Sequence, residues 1–163
     1  PPRSKHEPII NKSMMRHIAM QSIGLFVAVA TSFIVALMMT NNGSTFFFSG
    51  AMAEIGVKGV HPIDIARTVA FATLILAELF RAFAARSESI SVFKLGIFSN
   101  KMMNIAVALS LEMLIAVIYI PGINGIFNNV AINPLAWLVI LPLAILPFAV
   151  SEIIKLIKGG CNK

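Results

Sequence analysis

Four long apolar stretches run through this sequence and constrain its fold more than any other feature. They cover approximately residues 17–39, 66–84, 103–120 and 134–157. At a rise of about 1.5 Å per residue, each is long enough to cross a hydrocarbon layer of about 30 Å as a helix. None alternates between apolar and polar residues, as barrel strands do. The sequence therefore predicts an all-α, polytopic membrane helical bundle of four transmembrane helices.

The composition agrees with a membrane protein and argues against a catalytic domain. Of the 163 residues, 58% are hydrophobic and 12% are charged, and the mean hydropathy is +0.87. We divide the chain into a cytoplasmic segment (1–16), a four-helix transmembrane domain (17–157) and a cytoplasmic tail (158–163). The sequence contains neither GxxxxGK[ST] nor GxGxxG, the loops that bind nucleotide phosphates. We therefore expect no catalytic and no cofactor-binding residue in this segment.

The distribution of basic residues predicts the orientation of the chain. Eleven Lys and Arg residues lie before the first stretch, from the end of the second to the start of the third, or from the end of the fourth onward, and two lie on the other side. Cytoplasmic segments carry an excess of Lys and Arg, so both termini are expected to be cytoplasmic. Because these residues do not form one cluster, we predict the lipid bilayer, and no nucleic acid, as a partner.

Glu78 is an acid inside the second apolar stretch, in the run LILAELFRAF. It lies eight residues, about 12 Å, before Arg86 and eleven residues, about 16 Å, after Arg67, which places it within the hydrocarbon zone. An ionised side chain near the bilayer centre costs about 3 kcal/mol to insert, so such an acid indicates a functional site. The structural alternative is an ion pair with Arg81, three residues later on the same helix.

Glu112, in the run LSLEMLIAVIYI, is the second acid within an apolar stretch. A protonated, hydrogen-bonding carboxyl or a packing contact explains it as well as a ligand does. Calcium takes six to eight oxygen ligands, and two carboxylates with scattered hydroxyls and amides do not complete that shell. Either helices outside this sequence share the site, or the acids carry protons.

Four runs, in order along the chain, resemble one known family. They are PPRSKHEPII, RTVAFATLILAELFRAFAARSE, FSNKMMNIAVALSLEMLIAVIYIP and NPLAWLVILPLAILPFAVSEIIKLIK. Together they resemble the C-terminal membrane region of P-type cation-transporting ATPases, most closely the calcium pumps. That family usually has ten membrane helices, so the resemblance implies that these four are the seventh to the tenth.

The resemblance also implies a role for Glu78. In sarcoplasmic-reticulum-type calcium pumps the eighth helix supplies a glutamate ligand, followed by Ala four residues on and by Ser-Glu nine and ten residues on. Glu78, Ala82, Ser87 and Glu88 have this spacing. Glu78 is therefore expected to be a cation ligand whose partner ligands lie on the fourth, fifth and sixth helices.

Three departures from the family pattern leave the transported ion open among calcium, protons, sodium and manganese. Arg81 is a cation close to the expected ligand. Glu112 is an acid where calcium pumps more often have an uncharged residue; as the second acid within an apolar stretch it is also a possible cation ligand. Ser151 precedes Glu152 where the family tends toward Asp-Glu.

The function that the resemblance implies is an ATP-driven cation pump, with calcium as the transported ion. This chain would scaffold the transport helices and contribute one ligand. ATP and magnesium would act only in the full-length protein, so this segment alone would be inactive. Its partners would be helices one to six and the cytoplasmic domains of the same pump. The opening Pro-Pro, without an initiator methionine, agrees with a piece of a longer chain.

The residues alone leave a protein of another class open. An independent four-helix transporter or channel subunit would move protons or cations past Glu78 and Glu112. It would associate through Gly24, Ala28, Ser32 and Ala36, which recur every fourth residue and are typical of a helix-packing face. A membrane anchor without any transport role is a third interpretation.

Overall fold

A computed structural model describes residues 12–41, 60–85, 96 and 99–160. The elements in these ranges are α1 (Lys12–Asn41), α2 (Pro62–Ala84), α3 (Lys101–Tyr119), the short α4 (Ile123–Ile126), a 3-10 turn (Pro134–Ala136) and α5 (Trp137–Gly160). The described ranges contain no β-strand. The prediction of a helical chain is therefore confirmed for them, and a long helix lies at each of the four predicted positions.

Three of the four long helices are long and apolar enough to cross a membrane. The apolar segments are Ile18–Thr40, Lys101–Tyr119 and Pro134–Lys155. α2 is longer than α3, but Asp64, Arg67, Glu78 and Arg81 interrupt its apolar sequence. Three of the four predicted membrane helices therefore have the length and the apolar sequence that a membrane span requires. Most of the predicted cytoplasmic segment and tail, residues 1–11 and 161–163, lies outside the described residues.

α1, α2 and α5 pack against one another, and α2 contacts both of the others most extensively. The core is formed by small and β-branched side chains of α2, such as Val69 and Ala72, together with Ala36 of α1 and Ile140 of α5. α3 contacts α2 over a smaller area. The molecule is therefore a three-helix bundle with α3 at its side.

The row of small residues on α1 forms a packing face, as predicted. Ala28, Ser32 and Ala36 are almost completely buried. A Cβ atom placed on Gly24 would lie 3.7 Å from the Cβ atom of Pro147 on α5, which is ordinary van der Waals contact. Small side chains at these positions let the helix backbones approach closely. Pro147 and Pro142 both lie inside α5, which continues through them as one helix.

α2 starts at Pro62, four residues earlier than the apolar stretch predicts. Pro62 occupies the first helical turn, where its missing N–H has no helical partner to lose and its fixed φ suits the helix. Six residues after Pro62, the Thr68 hydroxyl donates to the Asp64 carbonyl (2.9 Å) and accepts from the backbone N–H of Val130 (3.0 Å). This second bond ties the connection between α4 and α5 to α2.

One aromatic pair joins α3 to the bundle. Tyr119 is the last residue of α3 and Trp137 is the first of α5. The Trp137 Nε1–H donates to the Tyr119 Oη at 2.9 Å. Both residues thus lie at helix ends, where amphipathic rings favour the headgroup layer of a membrane.

Candidate functional site

Glu78 lies on α2, six residues before the helix ends at Ala84. Its neighbours Leu76 and Ala77 are buried in the bundle. The Glu78 side chain itself is 38% exposed. The carboxylate therefore lies at the boundary of the bundle core, on the helix that contacts both α1 and α5.

Arg81 binds the Glu78 carboxylate within the same helix. Its Nη2 lies 2.7 Å and its Nε 2.9 Å from the Glu78 Oε2 atom. Both contacts use one oxygen, so the pair leaves the Oε1 atom for another ligand. The structural alternative considered for Glu78, an ion pair at i,i+3, is thus formed. A metal ion at Glu78 would meet the field of this guanidinium, which opposes binding of a second cation.

Glu112 lies on α3 and is exposed. The buried residues of α3 are Leu114, Val117 and Ile118, on the side of the helix that faces the bundle. Within the described ranges no hydrogen bond or ion pair joins Glu112 to Glu78. The structure therefore places the two predicted cation-site residues on different helices and does not bring them together in one ligand set.

Two hydroxyls within the apolar stretches donate to backbone carbonyls of their own helices, which leaves their oxygen lone pairs as possible ligands. The Thr73 hydroxyl donates to the Val69 carbonyl at 2.8 Å, and the Ser110 hydroxyl donates to the Ala106 carbonyl at 2.9 Å. In the part of the chain that the structure describes, no group of three or more His, Cys, Asp or Glu residues could hold a metal ion. A complete calcium shell thus needs oxygens in addition to these.

A small crevice with a few polar groups lies between α1, α2 and α5, close to Arg81. The Gln21 amide donates to the Ser151 hydroxyl at 3.2 Å. A cavity of about 10 Å³ is lined by Gln21, Arg81 and Ser151 together with apolar side chains such as Pro147. That volume is at the lower limit for one water molecule. The sequence singled out neither the crevice nor the pairing of Gln21 with Ser151.

A second ion pair lies deeper than the first, at the end of the bundle where α2 stops. Lys155 and Glu152 of α5 are 3.0 Å apart, and their side chains are only 6% and 4% exposed. The Lys155 ammonium also donates to the carbonyl of Ala84, the last residue of α2, at 2.7 Å. The sequence predicted neither the burial of this pair nor its contact with α2.

These observations define a polytopic membrane domain in which a carboxylate-bearing helix is held inside a bundle. Comparison with known proteins identifies the class. The family model described as "Cation transporting ATPase, C-terminus" matches residues 1–157. The chain belongs to this family, as the resemblance of the four sequence runs predicted.

Several relatives of the chain are named as calcium-transporting ATPases. The chain is 38% identical to calcium-transporting ATPase 1 of Bacillus cereus over 93 residues, which are 57% of this chain and 10% of the relative. It is 42% identical to the calcium-transporting ATPase of Bacillus subtilis over 82 residues, 50% of this chain and 9% of the relative.

A third relative matches nearly the whole chain. Calcium-transporting ATPase 1 of Saccharomyces cerevisiae is 30% identical over 156 residues, 96% of this chain and 14% of the relative. The chain thus spans only a small part of the length of the curated relatives it matches. The comparisons support a pump domain over an independent four-helix transporter.

Proposed function

We propose that the chain is the C-terminal membrane domain of an ATP-driven calcium pump, and that Glu78 is one ligand of the transported ion. The observation that carries the proposal is a half-buried carboxylate on α2, the helix that contacts both α1 and α5. The family and the names of the relatives support calcium as the ion. Glu112 is exposed on another helix, and we propose it as a second candidate ligand with a smaller contribution than Glu78.

In this proposal α2 crosses the membrane as well, although it is more polar than the other long helices. Its charged side chains form two i,i+3 pairs, Asp64 with Arg67 at 3.5 Å and Glu78 with Arg81 at 2.7 Å. Pairing reduces the cost of bringing charges into the membrane. α1 and α5 cover much of the helix, so it does not need an apolar surface on every side.

The other ligands would come from helices outside this sequence. Calcium takes six to eight oxygens, and the Glu78 carboxylate has one oxygen, Oε1, that Arg81 does not bind. We infer that helices one to six of the same pump supply the remaining oxygens. ATP and magnesium would act in its cytoplasmic domains.

The charge asymmetry of the sequence supports an orientation with both termini of this segment in the cytoplasm. Labelling of single cysteines in sealed vesicles tests this orientation. In the intact protein with all other cysteines replaced, an impermeant maleimide on the cytoplasmic side should label Cys161. It should not label a cysteine introduced by Ile126→Cys in the exposed α4. Labelling of both from the same side would contradict the proposed orientation.

Calcium titration of ATP hydrolysis by the intact protein tests the ligand role. Glu78→Gln removes the negative charge but keeps the side-chain shape, and we expect it to raise the half-activating calcium concentration by about tenfold or more, about 1.4 kcal/mol. Glu112→Gln is the matched comparison, since it makes the same change on the exposed face of α3, and we expect a smaller rise. Identical calcium curves for Glu78→Gln and wild type would remove Glu78 from the ion site.

A further inference from the structure

The buried ammonium of Lys155 is bound by groups from two helices. It lies 3.0 Å from the Glu152 Oε1 atom of α5 and 2.7 Å from the Ala84 carbonyl oxygen of α2. An ammonium in a low-dielectric site is costly unless it is paired and hydrogen-bonded. Lys155 therefore holds α2 and α5 together at this end, because moving either helix away would leave a buried charge with fewer partners.

Ala84 is a favourable acceptor because of its place in α2. It is the last helical residue, and the last four carbonyls of a helix have no partner within the helix. These carbonyls also carry the negative end of the helix dipole, which attracts a cation. Ala84 is itself 2% exposed, so water has little access to satisfy its carbonyl in place of Lys155.

Glu78 and Ala84 belong to one uninterrupted helical segment. They are six residues, about 9 Å, apart along the axis of α2. The residues between them, LFRAF, include no Gly or Pro, so the segment offers no site for a kink. Fixing the depth and rotation of α2 at Ala84 thus fixes the depth and rotation of Glu78.

The opposite end of α2 is tied in a similar way. The Thr68 hydroxyl accepts from the Val130 N–H at 3.0 Å, ten residues before Glu78. Hydrogen bonds at both ends of α2 therefore join it to segments that lie far away in the sequence. Of these two contacts, only the one at Ala84 uses a charged side chain.

We propose that Lys155 is a positioning residue that sets the place of Glu78 by holding the end of α2, and this inference rests on the proposed ligand role of Glu78. Lys155 does not touch the ion. Its effect is on the geometry with which Glu78 meets the other ligands, so removing it weakens calcium binding more than it slows the pump at saturating calcium.

Calcium titration of ATP hydrolysis by the intact protein tests this inference. Lys155→Met keeps the length of the side chain and removes the charge, and we expect it to raise the half-activating calcium concentration about fivefold while the rate at saturating calcium falls less than about twofold. Lys155→Arg, which retains a cation and several donors, should restore most of the calcium response. Lys101→Met makes the same change as Lys155→Met at an exposed position of α3 and should leave the titration unchanged.

Lys155→Met removes the ammonium beside the buried Glu152 carboxylate. Breaking a buried ion pair in this way is strongly destabilising and is able by itself to prevent folding. The double variant Glu152→Gln, Lys155→Met avoids this charge. Replacing both members of a buried ion pair by neutral groups of similar size is often tolerated. It still removes the contact with Ala84, so we expect the same rise in half-activating calcium.

A double-mutant cycle separates this inference from the proposed function. If Lys155 acts through Glu78, its substitution produces no additional shift in the Glu78→Gln background. A shift of the same size in both backgrounds, or a fall in the maximal rate alone, would overturn the positioning role and leave the ligand role of Glu78 intact. If Glu78→Gln alone does not change the calcium curve, the ligand role fails and the positioning role fails with it.

Discussion

Of the two helices α2 and α3, α2 has the more polar sequence, yet it is also the more deeply buried. α2 contains four charged side chains, yet it is packed between α1 and α5 and has nine buried residues. α3 is apolar enough to cross a membrane, yet its only buried residues are Leu114, Val117 and Ile118. In a water-soluble bundle the more apolar helix would be the central one.

The difference follows from the solvent that surrounds a membrane protein. Lipid tails are as apolar as leucine, so a helix surface gains little by leaving them for the protein interior. The charged side chains of α2 reduce their cost in lipid by pairing within the helix, and they stay partly exposed. Small residues then bring the helix backbones close, as Ala66, Ala72 and Ala77 do on α2. Burial of α2 therefore follows from its small side chains and not from its hydropathy.

The largest effect that would test this comparison comes from enlarging one alanine on each helix. Ala72 of α2 is completely buried, whereas Ala108 of α3 is exposed. Ala72→Leu should overpack the interface and destabilise the intact protein by about 1–3 kcal/mol or more. Ala108→Leu should have little effect. Thermal inactivation in detergent measures both, and equal loss of stability would show that α3 is as tightly packed as α2.

A smaller effect is expected at the ion pair of α2. Arg81→Gln removes a positive charge next to Glu78, and two unit charges about 4 Å apart interact by about 1 kcal/mol in water. We therefore expect the half-activating calcium concentration to fall about fivefold in the intact protein. Lys101→Gln on α3 is the matched control, because Lys101 is exposed.

The opposite result at Arg81 would change the interpretation of the pair. A rise in half-activating calcium for Arg81→Gln would show that the guanidinium orients the carboxylate and does not compete with the ion. The Lys101→Gln curve distinguishes this outcome from a general effect of lost positive charge.

The smallest effect concerns the bond that joins α3 to α5. Trp137→Phe and Tyr119→Phe each remove the same hydrogen bond, and a typical hydrogen bond contributes about 0.5–1.5 kcal/mol. If the bond is formed, the double variant should lose less stability than the sum of the two single variants. Strict additivity in thermal inactivation would show that the two side chains act independently.

Local features of the fold were predictable from the sequence. The four long helices were predicted from the length of the apolar stretches. The packing face of α1 was predicted from the small residues at every fourth position, Gly24, Ala28, Ser32 and Ala36. The Glu78–Arg81 pair was predictable for the same reason, because residues three apart on a helix are neighbours. In each case the information lies within a few turns of one helix.

Contacts between helices were not predictable in the same way. Gln21 meets Ser151 across 130 positions, and Lys155 meets the Ala84 carbonyl across 71. The spacing of residues within a helix does not predict which face of α5 contacts which end of α2. The acceptor at Ala84 is a backbone carbonyl, which every residue has, so its side chain gives no signal of the contact.

Of the two residues that form the bond between Thr68 and Val130, only Thr68 needs a particular side chain. The donor is the backbone N–H of residue 130, which any amino acid except proline supplies. The acceptor is a side-chain hydroxyl in a completely buried position, and among small hydroxyl-bearing residues only serine could replace it. Sequences of this connection are therefore free to diverge while it stays attached to α2, and a substitution at position 68 would break an attachment that the loop sequence itself does not reveal.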